Sequence, residues 1–367
     1  MRTEAHIRER LTALWHRLRP FAPYLTDPAV QEIAVNRPGE IALWKNGVWS
    51  HVSMPELDFN LLESIADDLA NYVDKPFDRQ HTDLDAHLPS RERIIVTGPP
   101  TSPEGVIQLN IRKHVGRAIA HAAMANDGYY ANTRHDHALS LTQERRDDLA
   151  KYLTAEEKEL WSYAKNNDWE NFMRRAVALK QNIVVSGSTG SGKTTYLRAL
   201  IGMVKQSERI ITVEDTPEMP LWDIERPEEG HRHSKALFYR KDSEPGEPLQ
   251  DGANIESVIR SVMRKTPMRV ILAELRGPEA MFFMSGVLNS GHSGMTTVHC
   301  GEPRDAYERI ALLIKSSPTG QGIDMTAIKT MLYMSINIVV QLKFDDVLGR
   351  YVSSIYYDPM YRLSLLA

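Results

Sequence analysis

The run Gly187-Ser188-Thr189-Gly190-Ser191-Gly192-Lys193-Thr194-Thr195 contains glycine, glycine, lysine and a hydroxyl at the spacing G-x-x-x-x-G-K-[ST]. Its glycines let the backbone curl until successive N–H groups face phosphate oxygens, and a helix beginning near Lys193 adds the positive end of its dipole. Lys193 then answers the β- and γ-phosphates, Thr194 offers a hydroxyl to Mg²⁺, and the cradle ends at Thr195. The apolar strand Ile183-Val184-Val185 precedes the motif, and the helical stripe Leu197, Leu200, Ile201 and Val204 follows it. That context distinguishes a nucleotide loop from a glycine-rich turn that binds nothing.

Three later segments carry chemistry of the same kind. Val270-Ile271-Leu272-Ala273-Glu274 is an apolar strand ending in a carboxylate. Glu274 stands where such strands usually place Asp, and its longer arm favours a water-mediated contact with Mg²⁺. A second strand, Ile210-Ile211-Thr212-Val213, ends in Glu214-Asp215-Thr216-Pro217-Glu218. Three carboxylates in five residues suit metal holding and the orientation of an attacking water, or form a plain acidic turn. Finally, Ser290-Gly291-His292 to Val298-His299 puts imidazoles at either end of a Gly/Ser turn and a short strand. His292 and His299 are candidates to sense a γ-phosphate or to couple neighbouring subunits, set against ordinary structural histidines. His231 and His233 supply only two ligands, too few for a metal site.

These segments must be positioned by something, and the chain divides into three stretches. Residues 1–115 mix helices and strands: a β-hairpin around Asn46-Gly47, a helix marked by Leu61, Leu62, Ile65, Leu69 and Tyr72, and strands at 93–96 and 106–111. Pro28–Val35 predicts a short helix running into a strand. This is an α+β domain. Residues 116–170 are polar and helical without a strand pattern, which predicts a structured linker. Residues 171–367 alternate strand and helix, which predicts an α/β domain with a largely parallel sheet. The stretch 241–252 predicts an exposed loop.

The 367 residues exceed what one core usually holds. With 44 Lys+Arg against 48 Asp+Glu, net charge −4, the surface as a whole is not built to grip nucleic acid. One cysteine, Cys300, excludes an internal disulfide and a multi-cysteine zinc site and predicts a cytoplasmic protein. No apolar run approaches the ~18 residues of a membrane span, and the N-terminus has no secretory h-region. Ile7, Leu11, Leu14, Trp15 and Leu18 among five arginines predict an amphipathic helix, packed on its domain or resting on an anionic membrane.

In this order, the phosphate loop, acidic box Glu214–Glu218, Glu274-Leu275-Arg276 and the box Gly291-His292 to His299 resemble the secretion-ATPase superfamily. Asn36-Arg37-Pro38-Gly39-Glu40-Ile41 and Ile111-Arg112-Lys113 are similar to the N-terminal domain of traffic ATPases of type IV secretion and conjugation. The resemblance spans about residues 20–360 and implies a RecA-like C-terminal domain, ATP with Mg²⁺, and a hexameric ring at the inner membrane among other secretion components. It implies that Glu218 polarises water with Glu214 close by, that Glu274 supports Mg²⁺, and that His292 and His299 link phosphate status to ring movement. Arg112 matches an arginine that meets the phosphates, with a second expected at Arg91 or Arg93. The rival readings are a pilus-retraction ATPase, a nucleic-acid motor, and a platform that binds ATP without hydrolysis.

Overall fold

The computed structural model describes residues 4–45, 47–88, 90, 92–113, 119–138, 140–215, 219, 221, 230–239 and 255–366, with backbone alone for 4–10. The chain divides into two units, Met1–Arg117 and Ala118–Ala367.

In the first unit α1 (Glu4–Arg17) and α2 (Ala22–Thr26) precede β1 (Val30–Val35), β2 (Glu40–Lys45) and β3 (Val48–Ser53). Then come α3 (Phe59–Val73), β4 (Asp83–His87), β5 (Arg93–Thr97) and β6 (Gln108–Arg112). The strands form one antiparallel sheet in the order β3-β2-β1-β6-β5-β4. Alternation along each strand sends Ile33, Val35, Ile94, Val96, Leu109 and Ile111 into the core. There they meet Leu14 and Leu18 from the α1 region and Leu62, Ile65 and Leu69 of α3, spaced to share one helical face. The Asp58 carboxylate caps α3 by accepting from Leu61 N–H at 2.8 Å. Where a helix was expected at 28–29 there is a turn, and the helix stands earlier, as α2.

The second unit opens with α4 (His121–Asn126), β7 (Arg134–Asp136), α5 (Gln143–Ala150), α6 (Ala155–Lys165) and α7 (Trp169–Ala178). There follow β8 (Ile183–Gly187), α8 (Lys193–Gly202), β9 (Ile210–Glu214), β10 (Ser234–Phe238), α9 (Ile255–Met263), β11 (Arg269–Leu275), α10 (Glu279–Phe282) and β12 (Ser293–Val298). It closes with α11 (Pro303–Ser316), α12 (Met325–Ser335), β13 (Ile338–Asp345), β14 (Gly349–Tyr356) and α13 (Pro359–Ser364). The sheet order is β10-β9-β11-β12-β8-β13-β14-β7, with every neighbouring pair parallel except β13–β14. β8 is buried along its whole length, as a parallel strand covered on both faces must be. One face packs on α7 and α8 through Phe172, Met173, Tyr196 and Leu197; the other packs on α9, α11 and α12.

The expected linker 116–170 is not a separate stretch. Its described residues belong to the second unit: β7 pairs with β14, while Leu160 and Trp169 are buried in the same core as β8. The expected loop 241–252 lies outside the described residues. Among those described, no helix is long and apolar enough to cross a membrane.

Candidate nucleotide site

The parallel strands bring four carboxyl ends to one edge of the second sheet. Val298 of β12 stands beside Ser186 of β8 and Leu275 of β11, and Leu272 beside Val213 of β9. Gly187, His299, Glu274 and Glu214 therefore share that edge, the usual location of ligand sites in such sheets. At Gly187 the chain turns so tightly that a Cβ would lie 2.5 Å from Ser191 Oγ and 2.6 Å from the Leu342 carbonyl. Gly192 caps α8 at φ +93°, a left-handed value that favours glycine. Ser191 Oγ donates to the Ser188 carbonyl at 2.8 Å and closes the loop.

Lys193 is 7% exposed, in the first turn of α8. Its Nζ donates to the carbonyls of Gly187 (3.0 Å) and Ser188 (2.9 Å) and to His299 Nδ1 (3.1 Å). Burial and the Lys193 ammonium hold the His299 pKa below the ordinary histidine value, Glu274 pulling the other way. Neutral His299 accepts at Nδ1, so its proton sits on Nε2, 3.0 Å from Glu274 Oε1. Glu274 Oε2 is bonded by Arg276, whose guanidinium also stands 3.6 Å from Asp215. Lysine, imidazole, carboxylate, guanidinium and carboxylate thus alternate across the ends of β8, β12, β11 and β9.

Glu214 is fully buried. Its Oε1 accepts from Thr212 Oγ1 at 2.6 Å and its Oε2 from Met219 N–H at 2.8 Å, which ties the two ends of the acidic box together. Glu218 and Arg91 lie outside the described residues. Thr194 and Thr195 occupy the first turn of α8, half-buried, and Ser188, Thr189 and Gly190 form the exposed crest of the loop.

His292 is not brought to this edge. It precedes β12 at the amino end of the sheet, seven residues from His299, about 23 Å along a strand. Arg112 ends β6 in the first unit, opposite Glu32 on one side and Arg93 on the other, with Arg93 paired to Asp85. His231 donates from Nε2 to the Lys205 carbonyl, and His233 accepts from Arg209, both packing contacts.

One pairing and one participant escape the sequence reading. Asp215 pairs with Arg276 only because β9 and β11 are neighbours. Arg350 of β14 donates from Nε to the Gly190 carbonyl at 3.1 Å, and nothing in its local sequence marks it.

A parallel sheet with a glycine loop, a buried lysine and a carboxylate on the adjoining strands defines a P-loop nucleotide-binding domain. Residues 155–344 match the family model described as Type II/IV secretion system protein. The VirB11 type IV secretion system protein of Brucella suis is 34% identical over 359 residues, covering 97% of this chain and 93% of that protein. VirB11 of Agrobacterium tumefaciens is 30% identical over 333 residues, 90% of each. The solved VirB11 ATPase of Brucella suis, in complex with sulphate, aligns over 99% of both chains with a TM-score of 0.51 and 31% identity. The Legionella pneumophila ATPase DotB, at 17% identity, TM-score 0.57 and coverage of 95% of this chain and 82% of that one, shares the fold. The chain belongs to the type II/IV secretion family and is a traffic ATPase of the type IV secretion class.

Proposed function

We propose that this chain hydrolyses ATP with Mg²⁺ at the Lys193 loop, as a homo-hexamer, and that the turnover drives substrate translocation or pilus assembly at the inner membrane. The observation that supports this best is the alternating line Lys193–His299–Glu274–Arg276–Asp215 at the carboxyl edge beside the phosphate loop. The donors fit a hard cation: the Thr194 hydroxyl in the first turn of α8, and the Glu274 carboxylate, whose Oε1 is buried and meets only the His299 ring, 3.0 Å away, among the described contacts. Thr194 and Glu274 would hold Mg²⁺, which neutralises phosphate charge when bound.

The chain's own groups divide the remaining work. Lys193 is kept extended along the loop by the Gly187 and Ser188 carbonyls and, still charged, turns its N–H donors from them to phosphate oxygens. His299 holds its neutral form between Lys193 and Glu274 and so ties the phosphate-binding lysine to the carboxylate of β11. Glu218 orients and deprotonates the attacking water. Glu214 positions the box that carries it. Arg112 answers phosphate charge as it develops in transfer, so Arg112→Ala lowers turnover more than nucleotide affinity. The basic helix α1 offers a peripheral membrane contact.

Purified wild type should release phosphate from ATP, and Lys193→Ala should not while melting at the same temperature. Retained turnover in Lys193→Ala overturns the reading. Deletion of the gene should abolish conjugative transfer or effector secretion, whereas turnover stimulated by DNA points to a nucleic-acid motor instead.

A further inference from the structure

The β13–β14 hairpin reaches the phosphate loop twice. Leu342 of β13 pairs with Gly187, the first residue of the loop, and its carbonyl occupies the space a Cβ there would need. Arg350 sits across the hairpin from Phe344, and its guanidinium carbon lies 5.7 Å from the centre of that ring. The ring face aims the arginine toward the loop. Arg350 Nε donates to the Gly190 carbonyl, while its stem lies so close over Gly192 that a Cβ there would come within 2.8 Å of Cδ. Gly190 and Gly192, at φ +79° and +93°, are the two residues where the chain bends to form the cradle.

We propose that Arg350 is a positioning residue for the phosphate loop, clamping it from outside through Gly190 and Gly192 so that the cradle is formed before nucleotide arrives. The proposal rests on the reading of this loop as the ATP site. A loop with three glycines has much freedom to lose when it orders, and an external clamp removes part of that cost before binding. With its inward N–H groups facing phosphate, the loop presents the Gly190 carbonyl outward, where a cation is its best partner. The effect therefore falls on ground-state affinity, alike for ADP and ATP, and little on the chemical step.

The test is Arg350→Ala in the full chain, with labelled ADP and ATP binding, steady-state kinetics and amide hydrogen exchange. Affinity for both nucleotides should weaken about tenfold, the size of one charge-assisted hydrogen bond. The kcat should stay within about twofold, and amides 188–192 should exchange faster without nucleotide. Arg350→Lys should recover part of the affinity, and Phe344→Leu should lose part of it. A fall in kcat at unchanged affinity would make Arg350 a transition-state contact and overturn the clamp, as would unchanged binding and exchange. Lys193→Ala separates the two readings. If it abolishes turnover while Arg350→Ala behaves as wild type, only the clamp fails; if it binds and hydrolyses ATP normally, the site assignment fails.

Discussion

Glu214 and Glu218 belong to one acidic box, and their substitutions should separate structure from chemistry. In Glu214→Gln the amide oxygen still takes the Met219 N–H and the amide N–H₂ donates to the Thr212 hydroxyl, so fold and much of the turnover survive. Glu214→Ala leaves both groups buried without an acceptor and should cost about 1–3 kcal/mol together with activity. Glu218→Gln should bind ATP, melt as wild type and barely hydrolyse. Thermal melts beside phosphate release check this, and a dead Glu214→Gln would move the water-activating role to Glu214. His299 adds a pH signature. Its lowered pKa favours the neutral acceptor for Lys193, so the activity loss its protonation causes should fall at lower pH than an ordinary histidine would give and vanish in His299→Asn. Motif spacing singled out Lys193, Thr194, Glu274 and His299 in the sequence, because each closes a strand or opens a helix. Arg276–Asp215 and Arg350–Gly190 were hidden, since each pairing depends on the order of strands in the sheet. His292 could have been separated from the site by strand length alone, as an imidazole at each end of a six-residue strand cannot serve one phosphate.

At the scale of elements, strands such as β8, β9 and β11 and helices such as α3, α8 and α9 announced themselves by period, whereas β4, β7 and β10 did not. All three lie at sheet edges, where charged and polar residues such as Asp83, Arg134, Asp136 and Lys235 blunt the edge and erase the apolar alternation. The helix α4 was equally silent. It docks on α8 through a buried chain in which His121 Nε2 meets Tyr130 at 2.7 Å and Tyr130 meets Tyr196 of the phosphate-loop helix at 2.6 Å. Burial, aided by Arg174, pushes the His121 pKa down to about 4. The unfolded chain, with an ordinary pKa of about 6.5, binds the proton first, so this site favours folding above pH 6.5 and loses that stability as pH falls toward 4. Between pH 8 and pH 5 the loss should approach about 2 kcal/mol. His121→Gln retains a partner for Tyr130 without titrating, and urea melts at the two pH values should show a smaller pH dependence than wild type. An unchanged dependence would mean that His121 is not held neutral.

At the scale of the whole molecule, the boundary after the first unit was legible, because the antiparallel strand pattern ends near residue 112. The boundary expected at 171 was not, because helices α5 to α7 look alike in sequence whether they span a gap or cover a sheet. What settles it is long-range pairing. Arg146 of α5 forms a buried, two-pronged ion pair with Asp358 beside α13, at 3.0 and 2.9 Å, and Asp358 also accepts from Ala138 N–H. β7 covers the free edge of β14, and Trp169 and Phe172 fill the core beneath β8. A fragment of residues 118–367 should therefore fold cooperatively and bind ADP in a Lys193-dependent way, gaining about 2.7 kcal/mol at a hundredfold excess over Kd. A fragment of 171–367 loses Trp169, strips β14 and leaves Asp358 buried without its cation. Breaking such a pair alone costs about 3–5 kcal/mol, a large share of a domain's stability. Circular dichroism melts and labelled-ADP titration of the two fragments decide the matter. Equal melting temperatures and equal affinities would return 118–170 to the status of a linker, whereas an unfolded 171–367 beside a folded 118–367 makes the segment part of the ATPase core.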